Sequence, residues 1–102
     1  MITAEISIVP IGTHSGTSVS NEVAAAFNAI RKISDITVNL TSMGTQIESD
    51  NILKVLNAIE VAHDAVKSLG VKRIVSMIHI DERLDKSNTL EEKVDSVMNK
   101  LK

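Results

Sequence analysis

Two segments of the chain carry residue types that could bind a ligand, and the first is Gly12-Thr-His-Ser-Gly16-Thr-Ser18. It joins a predicted strand to a predicted helix, where backbone amides and the helix dipole can hold an anion. It lacks the lysine and the glycine spacing of a phosphate-binding P-loop. A plain strand-to-helix turn rich in small residues is therefore the alternative interpretation.

The second segment, Met43-Gly-Thr-Gln-Ile-Glu48, combines a thioether, a glycine turn, a hydroxyl group and a carboxylate. In a partly desolvated pocket, Glu48 could pair with a cationic or amine-bearing ligand. The alternative is a surface hairpin with an ordinary exposed glutamate.

The sequence gives little support for catalysis or metal binding. It has no cysteine, and no serine sits in a Gly-x-Ser-x-Gly elbow. His14, His63 and His79 show no metal-ligand spacing, and the pair Glu91-Glu92 is typical of a solvated helix face. We therefore predict no enzyme activity and no metal site within one chain, while a site formed between chains stays open.

The composition limits the remaining classes of function. A chain of 102 residues, 43% of them hydrophobic, predicts a single domain spanning residues 1–102. A net charge of -2 and a single aromatic residue, Phe27, argue against nucleic-acid binding. The N-terminus does not resemble a signal peptide and no apolar run is long enough to span a membrane, so we expect a cytoplasmic protein.

The first half of the chain predicts a strand, a helix and a second strand. Residues 2–10 alternate in polarity with a period of two, which is typical of a half-buried strand. The next apolar residues recur at helical spacing, with Ser18 or Ser20 as the expected N-cap and Glu22 expected to face solvent. Alternation returns at residues 36–41. These helical apolar positions are Val23, Phe27, Ile30 and Ile33.

The second half predicts a short strand, a helix, a strand and a terminal helix. Gly44 marks a turn before a strand at 46–48, although one long bent strand is the alternative. Residues 49–51 supply cap chemistry for a helix that ends at Gly70, and a strand follows at about 73–81. The tail from Thr89 to Lys102 reads as a helix capped by Asn88 or Thr89.

The order βαββαβ plus a terminal helix predicts an α+β fold of the ferredoxin-like type. Right-handed crossovers place the two main helices on one face of a four-stranded antiparallel sheet. The other face would carry a mixture of hydroxyl groups, methionines and charges. Such a composition favours a subunit interface enclosing a polar pocket, while a solvated face is the alternative. Representative residues of this face are Thr3, Glu5, Asn39, Met77 and Asp81.

Several of these segments together resemble a known family. Met1-Ile-Thr-Ala-Glu5, Ile8-Val-Pro-Ile-Gly12 and Ser18-Val-Ser20, followed by Met43-Gly-Thr45 and Ile47-Glu48, are similar to the small thiamine-binding proteins of the YkoF-like superfamily. Ile78-His-Ile-Asp-Glu-Arg83 extends the likeness, which covers almost the whole chain. The family often has Glu-Gly where this chain has Glu48-Ser49.

The resemblance implies a non-catalytic protein that binds thiamine or its hydroxymethylpyrimidine moiety at or near a subunit interface. It implies homo-oligomers, commonly dimers of dimers built through the sheets, and no cofactor other than bound thiamine. The ligand-binding residues implied are Gly12, Ser18, Met43, Thr45 and Glu48.

Two other functions are compatible with the sequence. One is a regulatory domain that senses an amino acid or a nucleotide, and the other is an enzyme subunit whose site forms only between chains. A ligand screen by thermal shift separates the first from vitamin binding, and turnover of a bound ligand would support the second.

Overall fold

A computed structural model describes residues 1–13 and 16–101 of the chain. His14 and Ser15, in the predicted anion-binding loop, lie outside the described residues, as does Lys102 at the end of the predicted terminal helix. None of the described helices is long and apolar enough to cross a membrane. The elements are β1 (Ile2–Ile11), α1 (Ser20–Ile30), β2 (Thr37–Leu40), β3 (Thr45–Ser49), α2 (Ile52–Lys67), β4 (Arg73–Glu82) and α3 (Leu90–Met98).

The four strands form one antiparallel sheet in the order β2-β3-β1-β4. The order of elements is βαββαβ followed by a helix, so the predicted α+β fold is confirmed. Residues 36–48 form two strands joined by a turn, with Thr37 opposite Glu48, rather than one bent strand. β1 pairs with β4 along its full length, from Ile2 opposite Glu82 to Ile11 opposite Arg73.

The core lies between the sheet and the two main helices. Successive side chains of a strand point to opposite faces, and the even-numbered residues of β1 are the buried apolar ones. They meet Ile47 of β3 and a stripe of small and branched residues on α2. The fully buried members of this stripe are Val55, Ala58, Ala62 and Val66.

The helix ends follow the predicted cap chemistry for α2 and α3 but not for α1. The Asn51 side chain accepts a hydrogen bond from the Leu53 amide at 2.9 Å, and Gly70 takes the positive φ of 85° that ends the α2 segment. Thr89 caps α3 by accepting from the Glu92 amide. For α1 the prediction was wrong, because the N-cap is Val19 and no side chain caps the helix.

The buried face of α1 also differs from the prediction. Its buried residues are Glu22, Ala26 and Ile30, whereas the sequence pattern placed Glu22 toward solvent. Alanine gives little hydrophobic signal, yet it lets two helices approach closely, and α1 packs on the alanine-containing face of α2. The buried face of α1 is therefore turned toward α2, away from the centre of the predicted apolar stripe, and Glu22 is buried as a result.

The third helix lies on the other face of the sheet, near one end. Thr3 of β1 is flanked by Glu48 of β3 and Asp81 of β4, and we call these three residues the α3 row. The Leu90 amide donates to Oε1 of Glu48 at 2.6 Å, and Lys93 pairs with Asp81. These contacts hold the helix across the row, where Thr3 is only 4% exposed.

One half of β1 has no neighbouring strand on its β3 side within the described part of the chain. β3 pairs with β1 only from Ile2 to Ile6, so the strand beyond Ile6 pairs with β4 alone. Met1 and Arg83, which continue the register of β1 and β4, exchange two backbone hydrogen bonds. Because hydrogen-bonded pairs alternate along an antiparallel ladder, the N–H and C=O groups of the odd-numbered β1 residues point toward β4. The backbone groups of Ile8 and Pro10 therefore face the unpaired side, which we call the open edge.

Candidate functional site

A cleft of about 230 Å³ lies beside the open edge of β1, and we call it the hairpin cleft. It is bounded by the second half of β1, the face of α1 that carries Val23, Ala26 and Ile30, and the turn that joins β2 to β3. Its walls are mostly apolar, with a few hydroxyl groups from the turn. The lining includes Ile6, Ile8, Val19, Val23, Thr41 and Thr45.

The turn between β2 and β3 is fixed by the hydroxyl group of Thr41. This hydroxyl donates to the Gly44 carbonyl at 2.7 Å and accepts from the amides of Met43 and Gly44 at 3.3 and 3.1 Å. Gly44 lies so close to β1 that an added Cβ would stand 3.0 Å from the Ile6 carbonyl oxygen. A side chain at Gly44 would therefore push the turn away from β1 and change one wall of the cleft.

The structure brings two of the predicted ligand-binding residues together in the hairpin cleft. Thr45 is buried on the helix-facing side of β3, and Met43 stands at the tip of the turn with 78% of its surface exposed. Ser18 is exposed just before α1, where its hydroxyl hydrogen-bonds that of Ser20 at 3.2 Å. It adjoins the cleft-lining residue Val19 but does not itself line the cleft.

Gly12 lines a different cleft, of about 250 Å³, at the end of β1. Asn21 and Glu22 of α1 form one side of it, and Leu69 and Gly70 after α2 form the other. We call it the Glu22 cleft. No described residue lines both clefts, so the structure does not bring Gly12 together with Met43 and Thr45.

Glu48 lies on the opposite face of the sheet from Thr45. It is three residues further along β3, and side chains an odd number of positions apart in a strand point to opposite faces. Its carboxylate accepts the Leu90 amide, which is one of the unpaired donors at the start of α3. In this arrangement Glu48 stabilises the position of α3.

The lining of the hairpin cleft contains no aspartate, glutamate, histidine, lysine or arginine among the described residues. Nor do the described residues contain a group of three or more His, Cys, Asp or Glu side chains placed to hold a metal ion. His63 hydrogen-bonds the Ser76 hydroxyl at 3.0 Å between α2 and β4. What the cleft offers a ligand is apolar contact and neutral hydrogen-bonding groups.

Sequence analysis missed the contribution of the β1 backbone to this cleft. The amide and carbonyl of Ile8 point to the open edge, and Ile8 also lines the cleft. A signal was present in the lengths of the predicted strands, because the first (residues 2–10) was three times as long as the third (residues 46–48). A long strand beside a short one leaves backbone groups unpaired.

Comparison with known proteins identifies relatives over nearly the full chain. The model of the family described as thiamine-binding protein matches residues 4–98. An UPF0045 protein of Methanothermobacter thermautotrophicus is 39% identical over 101 residues, which are 99% of this chain and 100% of that protein. The UPF0045 protein YqgV of Bacillus subtilis is 35% identical over 104 residues, covering 95% of this chain and 94% of that protein.

Solved structures agree with the fold described above. The crystal structure of protein MJ1052 from Methanocaldococcus jannaschii superposes with a TM-score of 0.84 at 39% identity, covering 95% of both chains. A Thermotoga maritima protein described as a candidate for thiamine biosynthesis or salvage has a TM-score of 0.77 at 20% identity, covering 94% of this chain and 97% of that one. At that identity the likeness is one of fold. On the family match and the relatives together, the chain belongs to the thiamine-binding protein family.

Proposed function

We propose that the protein binds thiamine or its hydroxymethylpyrimidine moiety in the hairpin cleft, without catalysing a reaction. The observation that carries this proposal is the open edge of β1, because it places an unpaired backbone amide and carbonyl in an apolar cleft. The family to which the chain belongs is consistent with such a ligand. The description of the Thermotoga protein points in the same direction.

The chemistry of an aminopyrimidine matches these groups. Its amino group is a hydrogen-bond donor and the neighbouring ring nitrogens are acceptors. Ile8 offers a carbonyl acceptor and an amide donor on one side of the strand, and Thr45 adds a hydroxyl group that can do either. A ring bound at the open edge would thus replace the missing strand partner.

The size and charge of the cleft favour the pyrimidine over the whole vitamin. A volume of about 230 Å³ is below the roughly 300 Å³ at which pockets for drug-sized ligands begin. Since no charged side chain is among the described residues that line it, the lining described offers no counter-charge for the thiazolium ring of thiamine. We therefore place the pyrimidine inside and the thiazolium at the mouth, in contact with solvent.

Met43 would supply the contact that an aromatic residue makes in many ring-binding sites. The chain has no tyrosine and no tryptophan, and a flexible thioether packs favourably against a ring. Met43 is exposed at the tip of the turn, so it can fold over the mouth of the cleft without disturbing the core. Of the other implied residues, Ser18 comes nearest to the cleft, because it precedes the cleft-lining Val19 in the sequence.

The absence of catalysis is part of the proposal and follows from the lining. General acid–base and nucleophilic catalysis need a titratable or activated side chain within hydrogen-bonding reach of the ligand. The described lining residues supply hydroxyl groups but no base to activate them. Binding for storage, transport or salvage is the function that such a site supports.

Calorimetry with thiamine and with hydroxymethylpyrimidine tests this function. We expect saturable binding of both, with Thr45→Val weakening affinity about tenfold, the equivalent of one neutral hydrogen bond. Thr37→Val, at an exposed threonine on β2 outside the hairpin cleft, is the matched control and should bind like the unmodified chain. No heat with either compound would refute the vitamin assignment, and a thermal shift with an amino acid or nucleotide instead would support a regulatory sensor.

We also propose that copies of the chain associate through the sheet face that α1 and α2 leave uncovered. Val9 and Val75 are directly opposed on β1 and β4, Met77 follows on the same face, and all three are at least 40% exposed. Contiguous apolar surface of this kind is typical of interfaces. Light scattering in solution tests the proposal, and a monomer at all concentrations would contradict it.

A further inference from the structure

The Glu22 cleft contains a buried carboxylate that the proposed vitamin site does not use. Glu22 is 5% exposed, and its Oε2 atom has no hydrogen-bond partner among the described residues. Buried polar groups are almost always hydrogen-bonded, and an unpaired carboxylate in an apolar setting is costly. A side chain of this kind beside an open cleft indicates a partner beyond the described residues, and a ligand in the cleft would supply one.

Glu22 is the only charged side chain among the described residues that line the cleft. The cleft is closed on its other side by Leu69 and Gly70, which follow the C-terminus of α2. The carbonyl groups in the last turn of α2 already accept hydrogen bonds from residues 68–70, so what this end of the helix adds is the negative end of its dipole. Lys67 and Lys72 flank this segment in sequence, yet neither lines the cleft, and Lys67 is paired with Asp64.

Glu22 lies in the first turn of α1, where an acidic side chain interacts favourably with the helix dipole. The terminal torsion of a glutamate is broad, so either oxygen can turn toward the cleft without a change of rotamer elsewhere. A cation entering the cleft would therefore meet an oxygen of the Glu22 carboxylate, with the negative end of the α2 dipole beyond the opposite wall.

We propose that the Glu22 cleft binds a small organic cation with N–H donors, of the primary ammonium class, through the Glu22 carboxylate. A metal ion fits the cleft less well, because calcium and magnesium need six or more oxygen ligands and Glu22 is the only carboxylate among the described lining residues. A volume of about 250 Å³ leaves room for the carbon skeleton of the ligand. The amide groups of Asn21 add neutral hydrogen-bonding capacity at the rim.

Titration of the ¹⁵N-labelled chain with ethanolamine, followed by amide chemical shifts, tests this proposal. We expect saturable shifts at Asn21, Glu22 and Gly70. Tetramethylammonium has the same charge but no N–H donor, so it should bind more weakly. Magnesium chloride should cause no saturable shift at these residues. Saturating thiamine should leave the ethanolamine titration unchanged, because the two clefts share no lining residue.

Two variants make the result specific to Glu22. Glu22→Gln keeps the shape and removes the charge, so the affinity for ethanolamine should fall about tenfold or more. Glu60→Gln, at an exposed glutamate on α2 outside the cleft, should leave it unchanged. Equal affinity in Glu22→Gln, no saturable shift in the unmodified chain, or tighter binding of magnesium or tetramethylammonium would overturn the proposal. The last two results do not depend on whether the variant folds.

Discussion

The two faces of the sheet are held to their helices in different ways. On one face, α1 and α2 bury eleven apolar residues with the strands, and five of the larger side chains are less than 2% exposed. On the other face, α3 buries none of its own residues and is attached by a hydrogen bond from the Leu90 amide to Glu48 and an ion pair between Lys93 and Asp81. The first attachment is hydrophobic packing, and the second is polar and local.

This difference shows which contacts stabilise the fold and which only fix the position of α3. Hydrophobic burial is non-directional and sums over many residues, so the packed face supplies most of the stability. Polar contacts near the surface contribute little net energy but fix orientation. We infer that α3 can detach from the sheet while the rest of the fold persists.

The largest expected effect is a difference in the free energy of unfolding between two variants at adjacent residues of β3 whose side chains point to opposite faces of the sheet. Ile47→Ala removes a fully buried side chain from the packed face and should lower the free energy of unfolding by about 3 kcal/mol. Gln46→Ala, on the other face, should lower it by less than about 1 kcal/mol. Urea unfolding of both variants measures the difference. Similar losses in the two would show that both faces contribute equally to stability.

A smaller effect is expected at the attachment of α3. Glu48→Gln keeps a hydrogen-bond acceptor but removes its charge, which should weaken the contact with Leu90 by about 1 kcal/mol. Hydrogen exchange of the Lys93 and Val94 amides should become a few times faster, while exchange in β1 stays unchanged. Glu60→Gln is the control for loss of one negative charge. Faster exchange throughout the sheet as well would mean that α3 belongs to the cooperative core.

The smallest effect concerns the exposed pair that follows β4. The Arg83 guanidinium donates to both carboxylate oxygens of Asp85, at 2.7 and 3.0 Å, and this hydrogen bonding lowers the pKa of Asp85. A lowered pKa in the folded state means that the contribution to stability is present above the unfolded pKa and disappears as the pH falls through the folded one.

Titration of the Asp85 carboxyl carbon by NMR checks this prediction. The pKa should rise toward the ordinary value of an aspartate in Arg83→Gln, with no measurable change in thermal stability, because an exposed pair contributes little. An unchanged pKa would mean that the pair does not persist in solution.

Elements with strong local signals could be predicted from sequence. Asn51 and Gly70 bracket α2 as cap and stop, and Thr89 starts α3, because each of these residues satisfies backbone groups within its own few neighbours. The alternation in β1 and β4 likewise predicted the antiparallel sheet. In each case the information lies within one segment.

The site could be predicted only in part, because its geometry depends on contacts between segments. Met43 and Thr45, two positions apart in one turn, reach one cleft. Nothing local shows that Glu48 meets the start of α3 or that Gly12 lines another cleft. Glu22 was placed toward solvent because alanine contributes little to a hydrophobic pattern, while the close packing of α1 on α2 decides which side is buried.

The open edge of β1 also bears on how the protein avoids aggregation. An unpaired stretch of strand is a place where another chain can add and begin a fibril. Only Ile8 and Pro10 direct their backbone groups to this edge beyond Ile6, and proline has no N–H to donate. An incoming strand would find one amide donor, that of Ile8, instead of a row of donors. The edge is therefore too short to start a fibril but long enough to bind one small molecule.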